Sequence, residues 1–125
     1  MATLPAPCET YLDFVRNTAK LKEASKLPPL NEVEQNLLNT IASHVAEGKP
    51  SLLVGDIIYS KQIGSPATLQ RRLSKLAEAD FIRYSSDPDG RKKYLELTPK
   101  AIDYIAKLGQ CITAAASKNA GLSLV

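Results

Sequence analysis

The stretch from Phe81 to Thr98 constrains this chain more than any other: two short runs, FIRYSS and RKKYLELT, are joined by Asp87-Pro88-Asp89-Gly90. Proline presets φ in the turn, aspartate caps it through its side chain, and glycine supplies the positive φ that closes it. A tight β-hairpin is the expected result. The other periodic segments repeat at helical spacing, so the expected fold class is mainly α with a small β-hairpin.

The segment just before the hairpin opens on Ser65-Pro66, a serine N-cap followed by proline at the first helical position, where its missing N–H costs nothing. The predicted helix runs through ATLQRRLSKLAEA and stops near Asp80. Leu69, Leu73, Leu76 and Ala77 fall on one stripe, and Thr68, Arg71, Arg72 and Lys75 share the opposite side. A helix that buries leucines and presents a hydroxyl with three cations suits a DNA major groove, where arginine grips guanine and lysine neutralises phosphate. A surface helix with a basic outer face is the alternative for the same pattern. The hairpin tip carries Arg91, Lys92 and Lys93 on a stiff support, which suits the negative potential of a narrow minor groove. Lys92 and Lys93 also fit a guarded sheet edge.

Upstream, residues 8–25 read as an amphipathic helix, with Tyr11, Phe14, Val15, Thr18 and Leu21 on one stripe and Leu12 and Ala19 beside it. The prolines of LPPLN break it. Asn31 and Glu34 form a capping-box-like start for a helix with Leu37, Leu38, Ile41 and Val45 on its core face and Gly48 at its end. SLLV (51–54) is long enough for a short strand only, and GDIIYSKQIG (55–64) reads as a helix of about two turns. Thr98-Pro99 starts a last helix to about Asn119, carrying two adjacent apolar stripes. One holds Ile102, Ile105, Gly109, Ile112 and Ala116; the other holds Ala101, Tyr104, Leu108, Cys111 and Ala115. So wide an apolar face on a 125-residue chain points to a partner chain. The alternative is that the monomer consumes both stripes.

With 44% hydrophobic and 23% charged residues the chain falls in the ordinary globular range. Residues 61–93 hold Lys61, Arg71, Arg72, Lys75, Arg83, Arg91, Lys92 and Lys93 against Glu78, Asp80, Asp87 and Asp89, a window of +4 in a chain whose total is +3. Charge concentrated in this way is a footprint for a polyanion. No apolar run reaches the roughly 18 residues of a membrane span. The start MATLPAPCETYLDF lacks the basic and apolar stretches of a signal peptide, so a cytoplasmic location is expected. The sequence offers no zinc-spaced Cys/His cluster, phosphate loop or Ser/His/Asp set. An enzyme, a metal and a cofactor are not expected. His44, the one histidine, reads as a boundary residue of its helix.

The run ATLQRRLSKLAEADFIRY with DPDGRKKYLELT resembles the core pattern of the MarR family of winged helix-turn-helix regulators. Thr68, Arg71, Leu76, Phe81, Ile82 and Arg83 fall on its helix and strand parts. Asp89 and Arg91 supply its D-x-R wing tip, and Leu97 with Thr98 its closing L-T. The resemblance spans about residues 30–110. It implies that Asp89 braces Arg91, that the first and last helices pair two chains, and that a small aromatic effector binds between those helices and the DNA-binding lobe, where Arg16, Tyr11 and His44 are candidates. Asp80 stands where the family has glycine, a site expected to be left-handed. Gly90 replaces the first of two wing arginines, and the hairpin is one residue shorter. Cys8 at the start of the first helix and Cys111 on the last resemble the family's two-cysteine, peroxide-sensing branch, which implies a redox pair; two small apolar side chains are the alternative.

The expectation is a single winged-helix domain over 1–125, with residues 8–25 and 98–119 as dimerisation helices and 31–97 as the DNA-binding lobe. Its function is expected to be that of a homodimeric transcription regulator binding double-stranded DNA through Ser65, Thr68, Gln70, Arg71, Arg72, Lys75, Asp89, Arg91, Lys92 and Lys93. A protein–protein module and a replication or partition protein remain as alternatives.

Overall fold

The computed structural model of the chain describes residues 3–25, 29–49, 52–59 and 64–119. Lys61, the end of the helix expected over 55–64, Ser51 and the GLSLV tail fall outside them. The elements in order are α1 (Ala6–Ser25), α2 (Glu32–Ala46), β1 (Leu52–Leu53), α3 (Val54–Ile58), α4 (Pro66–Glu78), β2 (Ile82–Ser86), β3 (Lys93–Leu97) and α5 (Pro99–Lys118). The fold is mainly helical with one small sheet, as the sequence pattern predicts. The short strand expected upstream joins the hairpin, giving three antiparallel strands in the order β1-β3-β2. Leu52 lies opposite Leu95, which on its other side faces Tyr84. The SLLV run is shorter as a strand than expected, because Val54 already begins α3. Helix α1 starts two residues before the expected position: the Pro5 carbonyl accepts the Cys8 and Glu9 N–H groups at 2.9 and 3.3 Å. Pro7 is tolerated there because first-turn N–H groups need no helical partner.

The chain divides into two compact units, one from Leu30 to Ile102 and the other made of the segments before and after it. In the first, Leu37, Leu38 and Ile41 of α2, Leu69, Leu73 and Leu76 of α4, and Phe81 are all fully buried. Truncating one such leucine to alanine costs about 2–5 kcal/mol, so α4 is held firmly by its inner face.

Both ends of α4 are fixed by local chemistry. Ser65 is extended (φ −72°, ψ 153°) and its hydroxyl accepts the Thr68 N–H at 3.3 Å, with Pro66 at the first helical position. At the other end Asp80 takes φ +63°, the left-handed conformation expected there. The Phe81 N–H reaches the Leu76 carbonyl at 2.9 Å and the Asp80 N–H reaches that of Ala77 at 3.0 Å. This is a Schellman stop, which turns the chain from helix directly into β2. The start of α2 is a complete capping box between Asn31 and Glu34.

The other unit joins α1 to the later turns of α5. Asp13, 6% exposed, is its polar centre. It accepts from Asn119 at 2.8 Å and from Arg16 at 2.7 Å, and Lys118 lies 3.3 Å away. Higher up, the Asn17 amide donates to the Cys111 carbonyl at 3.4 Å. The two stripes of α5 differ in burial, with Ile105 and Leu108 half-buried between them. Ala101, Tyr104, Cys111 and Ala115 are buried, whereas Ile102 and Ile112 are each 56% exposed.

Candidate nucleic-acid interface

The outer face of α4 is set by what its inner face buries. With Leu69, Leu73 and Leu76 inward, Gln70, Arg71, Ser74 and Lys75 are exposed. Ser65 and Thr68 lie at the helix start with their hydroxyls 2.9 Å apart, Ser65 donating. Lys75 is 3.6 Å from Glu78, but both side chains are more than half exposed, so solvent screens the pair strongly. Tyr84 of β2 reaches across to hydrogen-bond Ser74; partial burial of its ring raises the phenol pKa, and that bond opposes the rise.

Arg72 departs from the expected arrangement. It is drawn away from the cationic face to Glu34 of α2, 3.7 Å distant, and its side chain is only 33% exposed. Position 72 lies three residues after Leu69 and four before Leu76, so it borders the buried stripe, and α2 packs on that side. The exposed cations of the outer face are therefore Arg71 and Lys75, the latter in its screened surface pair with Glu78.

The wing is closed by its own backbone. Gly90, at φ +73°, donates to the Asp87 carbonyl at 2.8 Å, and the Asp87 N–H reaches the Lys92 carbonyl at 3.2 Å. Asp89 accepts the Arg91 N–H at 3.1 Å, and its second oxygen lies 3.6 Å from Arg91 Nε. Asp89 thus lies beside Arg91, as the D-x-R resemblance implies, with both side chains exposed and their pairing screened by solvent. The Arg91 side chain remains 84% exposed, and Lys92 and Lys93 are exposed beside it. At the base, Tyr94 has its phenol pKa raised by burial and then by its hydrogen bond to Asp87.

The remaining candidates lie elsewhere. Tyr11 and the exposed Cys8 line an apolar hollow with Leu4, Pro7 and Leu12. Arg16 is committed to Asp13, and His44 lines a polar hollow on α2 with Asn39, Thr40 and Ser43. Cys111 is a buried free thiol. Among the described residues no group of His, Cys, Asp or Glu is arranged to hold a metal, and no helix is long and apolar enough to cross a membrane. Two polar features escaped the sequence reading: the Glu34–Arg72 pair and the Asp13 cluster. The sequence signal available for the latter was Arg16 three residues after Asp13, an i,i+3 pair on the polar side of the helix.

A short helix pair followed by a hairpin on a three-stranded antiparallel sheet defines a winged helix-turn-helix protein. Comparison with solved structures narrows the class. A MarR-like transcription regulator from Bacillus cereus superposes with a TM-score of 0.52 at 14% identity, covering 91% of this chain and 76% of that one. A MarR-family regulator from Silicibacter pomeroyi gives 0.50 at 22% identity, covering 90% and 73%. The PcaV regulator of Streptomyces coelicolor, solved with its natural ligand, gives 0.51 at 19% identity, covering 99% and 87%. No family sequence model matches the chain, and no curated protein matches it in sequence. The fold is that of these solved MarR-like proteins.

Proposed function

We propose that this chain is a transcription regulator that binds double-stranded DNA as a homodimer, with α4 in the major groove and the wing against the minor groove. The observation that carries the reading is the outer face of α4: Gln70, Arg71 and Lys75 exposed on a helix whose leucines are fully buried. A rigid helix with free donors on one side is what direct readout of base edges requires. Arg91 supports the second contact, since an exposed arginine carried on a hydrogen-bonded turn is suited to a narrow minor groove. Ser65 and Thr68, at the helix start, and Lys92 and Lys93 are assigned to the phosphate backbone, which fixes register without reading sequence.

The exposed isoleucines of α5 support the dimer. Two apolar side chains over half exposed on one helix gain by meeting a second copy. In a symmetric dimer the two α4 helices enter the groove about one helical turn apart, roughly 34 Å, on a pseudo-palindromic site. Selection of bound sequences from a random duplex library tests the assignment. Arg71→Ala is expected to cost about 1–3 kcal/mol on the selected site and to relax preference at one base position per half-site. A variant that selects the same site with undiminished affinity overturns the assignment of α4 as the reading helix.

A further inference from the structure

Glu34 faces two elements with its two oxygens. Oε1 accepts the Asn31 backbone N–H at 2.8 Å, completing the cap of α2. Oε2 lies 3.7 Å from the Arg72 guanidinium of α4. Glu34 is 8% exposed, and two-thirds of the Arg72 side chain is covered, while the adjacent Arg71 is exposed. A guanidinium is always charged, carries five donors, and pairs with phosphate as readily as with carboxylate. On a helix that enters a groove, a free arginine beside Arg71 is a phosphate ligand. Here a carboxylate of the same chain already occupies it, in surroundings less screened than the surface pair of Lys75 and Glu78.

We infer that Glu34 is an internal competitor for phosphate: it withholds Arg72 from the DNA backbone and so lowers binding to DNA of arbitrary sequence. The inference rests on the DNA-binding reading above. Binding to arbitrary sequence comes from phosphate neutralisation, whereas discrimination depends on the ratio of specific to non-specific affinity. Keeping one cation of the reading helix occupied raises that ratio without touching the groups that face base edges. The pairing also explains why a carboxylate at a helix start is buried against a basic helix, since the cap alone uses only one of its oxygens.

The test is fluorescence anisotropy with a labelled duplex of mixed sequence, about 20 base pairs or two helical turns, titrated across a range of salt concentrations. E34Q retains an oxygen for the Asn31 N–H, since glutamine serves in capping boxes as glutamate does, but removes the charge. E34Q is expected to bind several-fold more tightly, with a log K against log salt slope steeper by about 0.9 per protomer. R72Q is expected to keep the wild-type slope, and E34Q/R72Q to lose the gain of E34Q. An unchanged slope in E34Q overturns the inference. So does a gain that survives in E34Q/R72Q, which would come from lost negative charge and not from Arg72. A slope shallower by about 0.9 per protomer in R72Q shows Arg72 already on phosphate and overturns it without reference to E34Q. Wild-type protein that binds this duplex with no salt dependence removes the DNA-binding reading itself, a result seen before any variant is made.

Discussion

The Thr98 hydroxyl donates to the Asp80 carbonyl at 2.5 Å and accepts the Ala101 N–H at 3.1 Å, so one fully buried side chain ends the turn after α4 and begins α5. The Thr98 N–H adds a bond to the Phe81 carbonyl at 3.2 Å. Lys100, from the first turn of α5, donates to the Ala79 carbonyl at 2.7 Å and lies 5.2 Å from the centre of the Phe81 ring. The exit of α4 and the start of α5 are one hydrogen-bonded joint.

Thr98→Ala removes a helix cap and leaves the Asp80 carbonyl without that donor. The expected loss is about 2 kcal/mol, seen as a lower urea midpoint at unchanged m. Thr98→Ser restores the hydroxyl and is expected to recover most of it. Equal stability of all three proteins contradicts the joint.

Asp13 gives the second prediction. Its carboxyl is held well below the ordinary value of 3.8, first by the Asn119 amide, then by Arg16, with Lys118 adding to both and partial desolvation opposing them. A carboxyl whose folded pKa is depressed contributes stability above its unfolded pKa and loses it as pH falls through the folded one. Wild-type stability is therefore expected to fall as pH drops from about 5 to about 2, and Asp13→Asn to fall less steeply over that window. Urea melts at stepped pH check this, and parallel curves for the two proteins contradict it.

The third concerns Ile112, which is 56% exposed. Ile112→Glu places a charge in the proposed dimer face and is expected to convert a dimer to a monomer by sedimentation, with the fold retained by circular dichroism. A variant as dimeric as wild type excludes this face from the interface.

Features governed by neighbours in sequence were legible before the structure. The Ser65-Pro66 start, the Asp87–Gly90 turn and the Asn31–Glu34 cap each follow from a few adjacent residues, and the left-handed Asp80 follows from the family resemblance. Features that need a distant partner were not. The short strand at 52–53 was expected, but not that it pairs with β3. Arg72 lies at a wheel position that turns outward or inward according to what packs beside α4, and only the position of Glu34 decides it. For α5 both apolar stripes were visible. Which one the chain buries, and that Asp13 fastens the far end of this helix through Asn119, depended on tertiary contacts no periodicity encodes.

In the proposed function the α4 face and the wing together bind duplex DNA. The most direct measurement is the affinity of wild-type protein for a mixed-sequence duplex as salt is varied. If Lys92 and Lys93 of two protomers each neutralise one phosphate, log K falls against log salt with a slope of about −3.6, steeper if Arg71 or Lys75 joins them. The account predicts that slope, and its reduction by about half in Lys92→Ala. Absence of saturable binding, or a slope near zero, contradicts it.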